Sequence, residues 1–484
     1  MIMLADGHSV WLDIQQPSPW LHSLYRKVKK MVENMENVLK QVNEYILEPP
    51  DWSNFLGRLP NLSRKLRVWL PCCGIDGAGY AFLILDVPFD AELYDIEARY
   101  RTHLDNHMRE AGSNGGIYLG QDGNVTEITF QQLVRLGPID LIMAGPPCPP
   151  WAGNGLKEGQ KADLAKVFIA VVGQTVSLIK AGCLRAAILE NVKGILDSVG
   201  GMPPFGIKLV SVLRDECPEF DWTANLLNAA DYKLPQCRSR VFIVGVLKQC
   251  CPPDVRVPAI AGLPETRVPE PLQPFGTAML KDFLCKADNL VRTTLTVAQQ
   301  NNLKAYESKL KTLVQQGIIQ DGQLAVIAVD RAEGKTYRQQ LRVDVLPTLT
   351  CRNRYLMVLS MDFGKPDHQR DFFRFLLPGE RLVAQGFPAT IALDLGSDAL
   401  SMKAAGNAYP VPLVLAVLRP VLKCIGESGV PLVPRNFKVH GPASGVVKRV
   451  VRRLKRKGRA SAKAKTLRKK PRKKPRFSTD SDAD

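Results

Sequence analysis

From Leu66 to Val246 short apolar runs alternate with longer stretches of helical periodicity, and no other feature restricts the fold as much. The strand-like runs are Arg67–Pro71, Ala91–Asp95, Asp140–Ala144, Ala186–Glu190, Trp222–Leu227 and Val241–Val246. Helical stretches such as Lys161–Lys180 and Pro204–Glu216 lie between them. Strands alternating with helices predict an α/β protein with a doubly wound sheet. Ligands of such sheets bind beyond the carboxyl ends of the strands, so chemistry is to be sought in the residues next to those ends.

Gly74-Ile75-Asp76-Gly77-Ala78-Gly79 follows the first run, where glycines allow a tight turn and close approach of backbone to a ligand. Asp95 ends the second run, at about the 20-residue spacing that places a carboxylate on the ribose of a nucleoside cofactor. Pro146-Pro147-Cys148-Pro149-Pro150-Trp151 follows the third. Four prolines fix that loop and hold the thiol for attack, although a lone cysteine is ordinarily structural. Glu190-Asn191-Val192 ends the fourth, and a carboxylate there is costly to bury unless it is paired or functional. Burial would raise its pKa and let it carry a proton near neutrality. Gln236-Cys237-Arg238-Ser239-Arg240 leads into the last run. Arginines at i and i+2 of an extended chain share a face, and guanidinium suits planar acceptors; an exposed pair at a strand start is the commoner case.

Beyond Cys250 the pattern changes. Residues 250–275 are rich in proline, an amphipathic helix is expected over Thr296–Gln316, short strands follow to Val358, and a last helix spans Val411–Lys423. Upstream, residues 20–46 carry one apolar stripe through Leu21, Leu24, Val28, Met31, Met35, Val38, Val42 and Tyr45. That stripe suits a helix packed on the main domain, or one that binds a chromatin protein or other partner helix. The units expected are an N-terminal helical extension (1–60), a catalytic and cofactor-binding domain (61–247), a smaller target-recognition domain (248–358), a segment completing the catalytic domain (359–425), and a linker with a basic tail (426–484).

Charge is concentrated at the end. Residues 448–476 hold seventeen Lys or Arg and no acid, and three Asp follow, so this stretch supplies fourteen of the net +18. So many like charges with little apolar content predict a disordered tail suited to duplex DNA or to nuclear import through Lys469–Arg476. The start is not signal-like and no run of 18 apolar residues occurs, so neither export nor a membrane partner is expected. The eleven cysteines form no CxxC pair or zinc-spaced cluster, so no metal is expected and reduced thiols are.

Taken in order, the blocks resemble those of the cytosine carbon-5 DNA methyltransferases over about residues 66–425. They are Gly74–Gly77, Gly145–Cys148, Glu190-Asn191-Val192, Asn228–Tyr232 running into Gln236–Arg240, Gly379-Glu380-Arg381 with Gln385–Pro388, and Gly406-Asn407-Ala408-Tyr409-Pro410-Val411-Pro412. The resemblance implies a Rossmann-like methyltransferase sheet and S-adenosylmethionine as methyl donor. It implies that Cys148 adds to carbon 6 of a flipped-out cytosine. Glu190 would act at ring nitrogen 3, and Arg238 and Arg240 would grip the ring carbonyl and nearby acidic groups. Gly74, Ile75, Asp76, Gly77, Asp95, Ile96, Asn124, Pro146, Asn407 and Ala408 would hold the cofactor. The chain departs from the family pattern at Cys72, Asp76, Asn124, Pro149, Ala152 and Tyr409. Two alternatives stand beside a DNA methyltransferase: an RNA cytosine methyltransferase of the same fold, whose Cys-Phe-Thr signature is not found, and a catalytically silent chromatin-binding module.

Overall fold

The computed structural model describes residues 2–3, 9–10, 48–56, 59, 64–110, 123–148, 151, 164–198, 203–252, 265–285, 294–320, 322–331, 341–351, 355–366, 370–427, 431–432, 449–450 and 452–454. The expected helix over 20–46, Pro149, Ala152 and most of the basic tail lie outside these residues.

Every predicted run from Leu66 to Val246 is a strand, longer by one to four residues, although the second ends at Tyr94, one residue short of Asp95. β1 (Leu66–Pro71), β2 (Phe89–Tyr94), β3 (Ile139–Ala144) and β4 (Leu184–Val192) are parallel; β5 (Phe220–Asn228) and β6 (Ser239–Leu247) complete a six-stranded sheet of order β2-β1-β3-β4-β6-β5. β6 runs antiparallel to both of its neighbours, so the sheet is mixed. Only ten residues join β5 to β6, and a parallel crossover needs a dozen or more.

Alternation along the strands builds two layers. Val68, Leu70, Leu141, Met143, Ala186 and Ile188 share a core with α1 (Gly77–Ile84) and the C-terminal helix α8 (Val411–Glu427). Trp69, Ile142, Ala144, Ala187 and Leu189 face the other way, into a core with α3 (Leu164–Lys180) and α4 (Phe205–Glu216); α2 (Ala98–Glu110) follows β2. β3 is buried along its whole length, as a strand covered on both faces must be.

The smaller unit is a four-stranded antiparallel sheet of β7 (Leu324–Ala328), β8 (Leu341–Val343), β9 (Leu356–Ser360) and β10 (Phe373–Phe375), ordered β8-β7-β9-β10. α5 (Val297–Gln315) supplies the buried residues Leu303, Tyr306 and Leu310 to a core shared with one face of this sheet. Thr296 and Gln299 form the capping box that starts α5. β10 pairs Arg374 with Val358, so the sheet continues past the expected boundary at Val358. α6 (Pro378–Val383) and α7 (Asp398–Asn407) then lead back to α8. Among the described residues no single helix is long and apolar enough to cross a membrane.

The basic tail is not free from its first residue. Val450 and Leu454 are buried in the core shared with α3 and α4. Arg453 Nε lies 2.8 Å from Glu216 at the end of α4, and Glu216 also accepts from Lys180 Nζ at 2.6 Å. The expectation of a tail without buried apolar surface from residue 448 onward is therefore corrected: the two apolar residues, four apart, form the inner stripe of a helical turn. Leu454→Ala should cost about 2–4 kcal/mol and lower the thermal midpoint. Truncation after Leu454 should leave that midpoint unchanged. Calorimetric melts of the two variants check this.

Candidate active site

Loops leaving β1, β3 and β4 meet the start of β6 and the segment between α7 and α8. Asn191 Nδ2 donates to Pro146 O at 3.3 Å, tying the end of β4 to the cysteine loop, and Trp151 N donates to Cys148 O at 2.9 Å, closing a turn around the thiol. A Cβ at Gly145 would lie 2.8 Å from the Tyr409 ring, and one at Gly77 would lie 2.9 Å from it. The ring therefore fills the space between the first glycine loop and the cysteine loop, and both positions require glycine.

Cys148, Glu190 and Arg240 form one electrostatic group. Arg240 Nε lies 2.8 Å from Glu190 Oε1, and both side chains are buried. Burial raises the Glu190 pKa, with Arg240 and then Arg238 pulling against it. The half-buried Cys148 thiol is raised chiefly by burial; Arg240 lowers it and Glu190 raises it further. A protonated Glu190 would remove that last opposition, so the same proton that equips Glu190 to donate also favours the Cys148 thiolate.

The two arginines separate. Arg240 sits on β6 and faces Glu190, whereas Arg238 is fully buried and donates to Leu349 O (2.6 Å), Gly406 O (2.9 Å) and Ala408 O (2.6 Å). Those bonds tie the small unit and the α7–α8 segment to the sheet, so Arg238 does not grip a substrate carbonyl as expected. The shared-face argument fails because Arg238 lies before the strand begins. Beside it, Gln236 Nε2 donates to Ala384 O and Gln236 Oε1 accepts from Leu349 N. These partners could not be read from the sequence, since all lie more than a hundred residues away.

Two of the expected cofactor residues, Gly74 and Asp95, are in direct contact. Asp95 Oδ2 accepts from Gly74 N and Oδ1 from Glu97 N, both at 2.9 Å, which fixes the carboxylate beneath the glycine loop. A Cβ at Gly74 would meet nothing within 4 Å, so there is open space over the loop. Ile96 next to it is 70% exposed, an apolar surface suited to a flat ring. Ile75 points into the core and presents only backbone. Asn124 Oδ1 accepts from Thr126 N and Oγ1 while Nδ2 donates to Glu127, so its side chain caps the short helix Val125–Glu127. Asn407 Oδ1 accepts from Cys351 Sγ at 2.9 Å, and Ala408 O is one of the carbonyls bound by Arg238.

Asp76 has a local role. It stands at φ +60°, a left-handed conformation that Asp tolerates better than most residues, and caps α1 by accepting from Gly79 N at 2.8 Å. A Cβ at Gly79 would lie 1.9 Å from Asp76 Oδ2, so the carboxylate folds over that glycine. Oδ2 is buried without a hydrogen-bond partner, and burial raises the pKa to about 7 from 3.8, the Gly79 N–H opposing. A pKa raised on folding means that stability falls as pH rises from the unfolded value to the folded one. The loss runs between about pH 4 and 7 and is bounded by ~4 kcal/mol. Asp76→Asn, neutral throughout and compatible with the same turn, should melt closest to wild type at pH 4 and several degrees above it at pH 8. Thermal melts at the two pH values check the widening gap.

The pattern that defines the family "C-5 cytosine-specific DNA methylase" matches residues 119–423, well over half of the chain. The type II methyltransferase M.HpaII of Haemophilus parainfluenzae is 25% identical over 305 residues, 62% of this chain and 77% of its own. M.SsoII of Shigella sonnei is 24% identical over 63% of this chain and 68% of its own. M.HgiCII of Herpetosiphon aurantiacus is 32% identical over 136 residues, 28% of this chain and 29% of its own length. Among solved structures, the Entamoeba histolytica methyltransferase EhMeth aligns with a TM-score of 0.48 at 13% identity, over 74% of this chain and 98% of its own. With the sheet, the cysteine loop and the paired Glu190 and Arg240 in place, the chain belongs to the C-5 cytosine-specific DNA methylases: it is a DNA (cytosine-5-)-methyltransferase that takes its methyl group from S-adenosylmethionine.

Proposed function

We propose that Cys148, Glu190 and Arg240 carry the reaction. The observation behind this reading is the buried Glu190–Arg240 pair, whose charges act directly on the Cys148 thiol. The Cys148 thiolate forms a bond to carbon 6 of a cytosine turned out of the helix, and the ring electron pair shifts toward carbon 5 and nitrogen 3. Glu190, holding a proton because it is buried, donates to nitrogen 3 and offsets the charge that builds there. Arg240 orients Glu190 and keeps its charge compensated once the proton has left. S-adenosylmethionine, when bound, supplies the electrophilic methyl group. Loss of the carbon 5 proton to solvent, with the nitrogen 3 proton returning to Glu190, then lets the sulfur–carbon 6 bond break and frees Cys148 as the thiolate.

Asp95, Ile96 and the space over Gly74 fit the nucleoside end of that cofactor, Asp95 at the ribose and Ile96 at the adenine face. The basic run Lys469–Arg476 supports nuclear import as a second, separate role for the tail.

Cys148→Ala should abolish methyl transfer with the melting curve unchanged, because only the covalent step loses its nucleophile. Duplex DNA carrying 5-fluorocytosine should trap wild type as a covalent adduct, visible on a denaturing gel. An adduct that persists in Cys148→Ala would remove the thiol from the mechanism. Glu190→Gln should lower kcat by about 10²–10⁴ and DNA affinity far less.

Arg240→Ala should behave as Glu190→Gln does, losing turnover while still folding. Arg238→Ala should instead destabilise the protein by about 3–5 kcal/mol, since it strands three buried carbonyls. Chemical denaturation alongside single-turnover rates separates the two. Equal loss of stability in both would refute the division of roles.

A further inference from the structure

Tyr409 stands in the segment that returns the chain from α7 to α8, and the backbone is tied down on both sides of it. Arg238 Nη2 donates to Ala408 O at 2.6 Å, and Val411 N donates to Gln385 O at 2.9 Å. Pro410 and Pro412 stiffen the same stretch. The side chain is buried, so the ring has one fixed place.

Opposite edges of that ring meet different loops. Cδ2 and Cε2 lie 2.9 Å from a Cβ built on Gly77, whereas Cε1 and Cδ1 lie 2.8 and 2.9 Å from one built on Gly145. Gly77 closes the glycine loop and begins α1; Gly145 follows β3 and leads in three residues to Cys148. The ring is therefore a spacer, held edge to edge between the loop assigned to the cofactor and the loop that presents the thiol. Glu190 Oε2 lies 3.5 Å from the same Gly145 point, so the spacer ends beside the Glu190 carboxylate. The hydroxyl adds nothing to this hold. It is buried without a hydrogen-bond partner, and burial, then the Asp76 carboxyl, push its pKa well up. What the position uses is the width of the ring.

We propose that Tyr409 is a positioning residue for methyl transfer: its ring sets the gap between the glycine loop and the cysteine loop, and through it the distance from the methyl donor to carbon 5 of the cytosine joined to Cys148. Addition of the thiol does not depend on that gap, because the charges that govern it are those of Glu190 and the arginines of the β6 start. Transfer does depend on it, since reacting atoms must approach to about 3–3.5 Å and a misplacement of about 1 Å can cost about a hundredfold. The proposal rests on the reading that Cys148 adds to carbon 6.

A duplex with tritium at carbon 5 of its cytosines separates the two steps. Once Cys148 has added to carbon 6, carbon 5 can take a proton from solvent in place of the methyl group. Loss of the tritium to water then lets the sulfur–carbon 6 bond break and returns cytosine with ordinary hydrogen at carbon 5. Tritium release in the absence of cofactor therefore reports addition alone, and incorporation of a labelled methyl group in a single turnover reports transfer. Tyr409→Ala should release tritium within about threefold of wild type while transfer falls by about 10–100-fold. Tyr409→Phe keeps the ring and removes the unpaired hydroxyl, so it should match wild type in both steps and melt no lower. Tyr409→Leu fills more of the space and guards against a Tyr409→Ala that fails to fold; its transfer should fall less, again with tritium release preserved. Three results would overturn the proposal. Transfer unchanged in Tyr409→Ala would remove the spacer role. Equal loss of both steps in Tyr409→Ala and Tyr409→Leu would mark the ring as a packing residue only. A Tyr409→Phe as poor in transfer as Tyr409→Ala would assign the role to the hydroxyl. Absence of tritium release from wild type would instead fail the Cys148 reading, and the spacer role with it.

Discussion

One buried guanidinium holds the architecture together. Arg238 reaches carbonyls of Leu349, Gly406 and Ala408 from a fully buried position, joining segments more than a hundred residues apart. Burial pushes its pKa well down, and the neighbouring charge of Arg240 adds to that push. Such a charge is tolerable only while its hydrogen bonds are made. The small unit and the α7–α8 segment are thereby locked to the sheet at one register, and Gln236 strengthens the lock through Ala384 and Leu349. Because Arg240 comes two residues later on the same chain, the same lock sets where Arg240 meets Glu190.

The catalytic group depends on that fixed register. Glu190 needs burial to hold a proton and a cation to be bearable once it has lost it, and Arg240 meets the second need without exposing the carboxylate. The thiol has the opposite requirement, since burial disfavours its charged form and Arg240, then Arg238, counter that. Arg240 therefore acts on both groups, lowering the pKa of Glu190 and of Cys148 against their burial.

Much of this was legible in the sequence wherever the signal was local. All six strands of the main sheet and the limits of α5 follow from apolar runs and amphipathic periodicity, and Cys148 and Glu190 could be placed at strand ends. What stayed hidden was non-local. The antiparallel insertion of β6 is set by a short connection, the fourth strand of the small sheet by pairing across the expected boundary at Val358, and the role of Arg238 by partners remote in sequence. Val450 and Leu454 were hidden for another reason. A few apolar residues among seventeen cations carry almost no weight in composition, yet the spacing of Val450 and Leu454 makes one inward stripe, and Glu216 waits beside it with the opposite charge.

The departures from the family pattern around the cofactor loop are matched by spaces elsewhere in this chain. Asp76 takes a left-handed backbone position and folds its carboxylate over residue 79, where any side chain would collide with it; residue 79 is glycine. Tyr409 brings a ring against residues 77 and 145, and both are glycine, each with less than 3 Å of clearance for a Cβ. In each case a larger group is admitted by a missing Cβ, so the backbone of the loop is kept. The cost is polar: Asp76 Oδ2 and the Tyr409 hydroxyl are both buried without a hydrogen-bond partner. A carboxyl in that position is cheaper neutral than charged, which is why its pKa rises to about 7. The glycine loop thus carries a group whose charge changes near neutral pH, although that group points into the helix it caps and not toward the open space over Gly74.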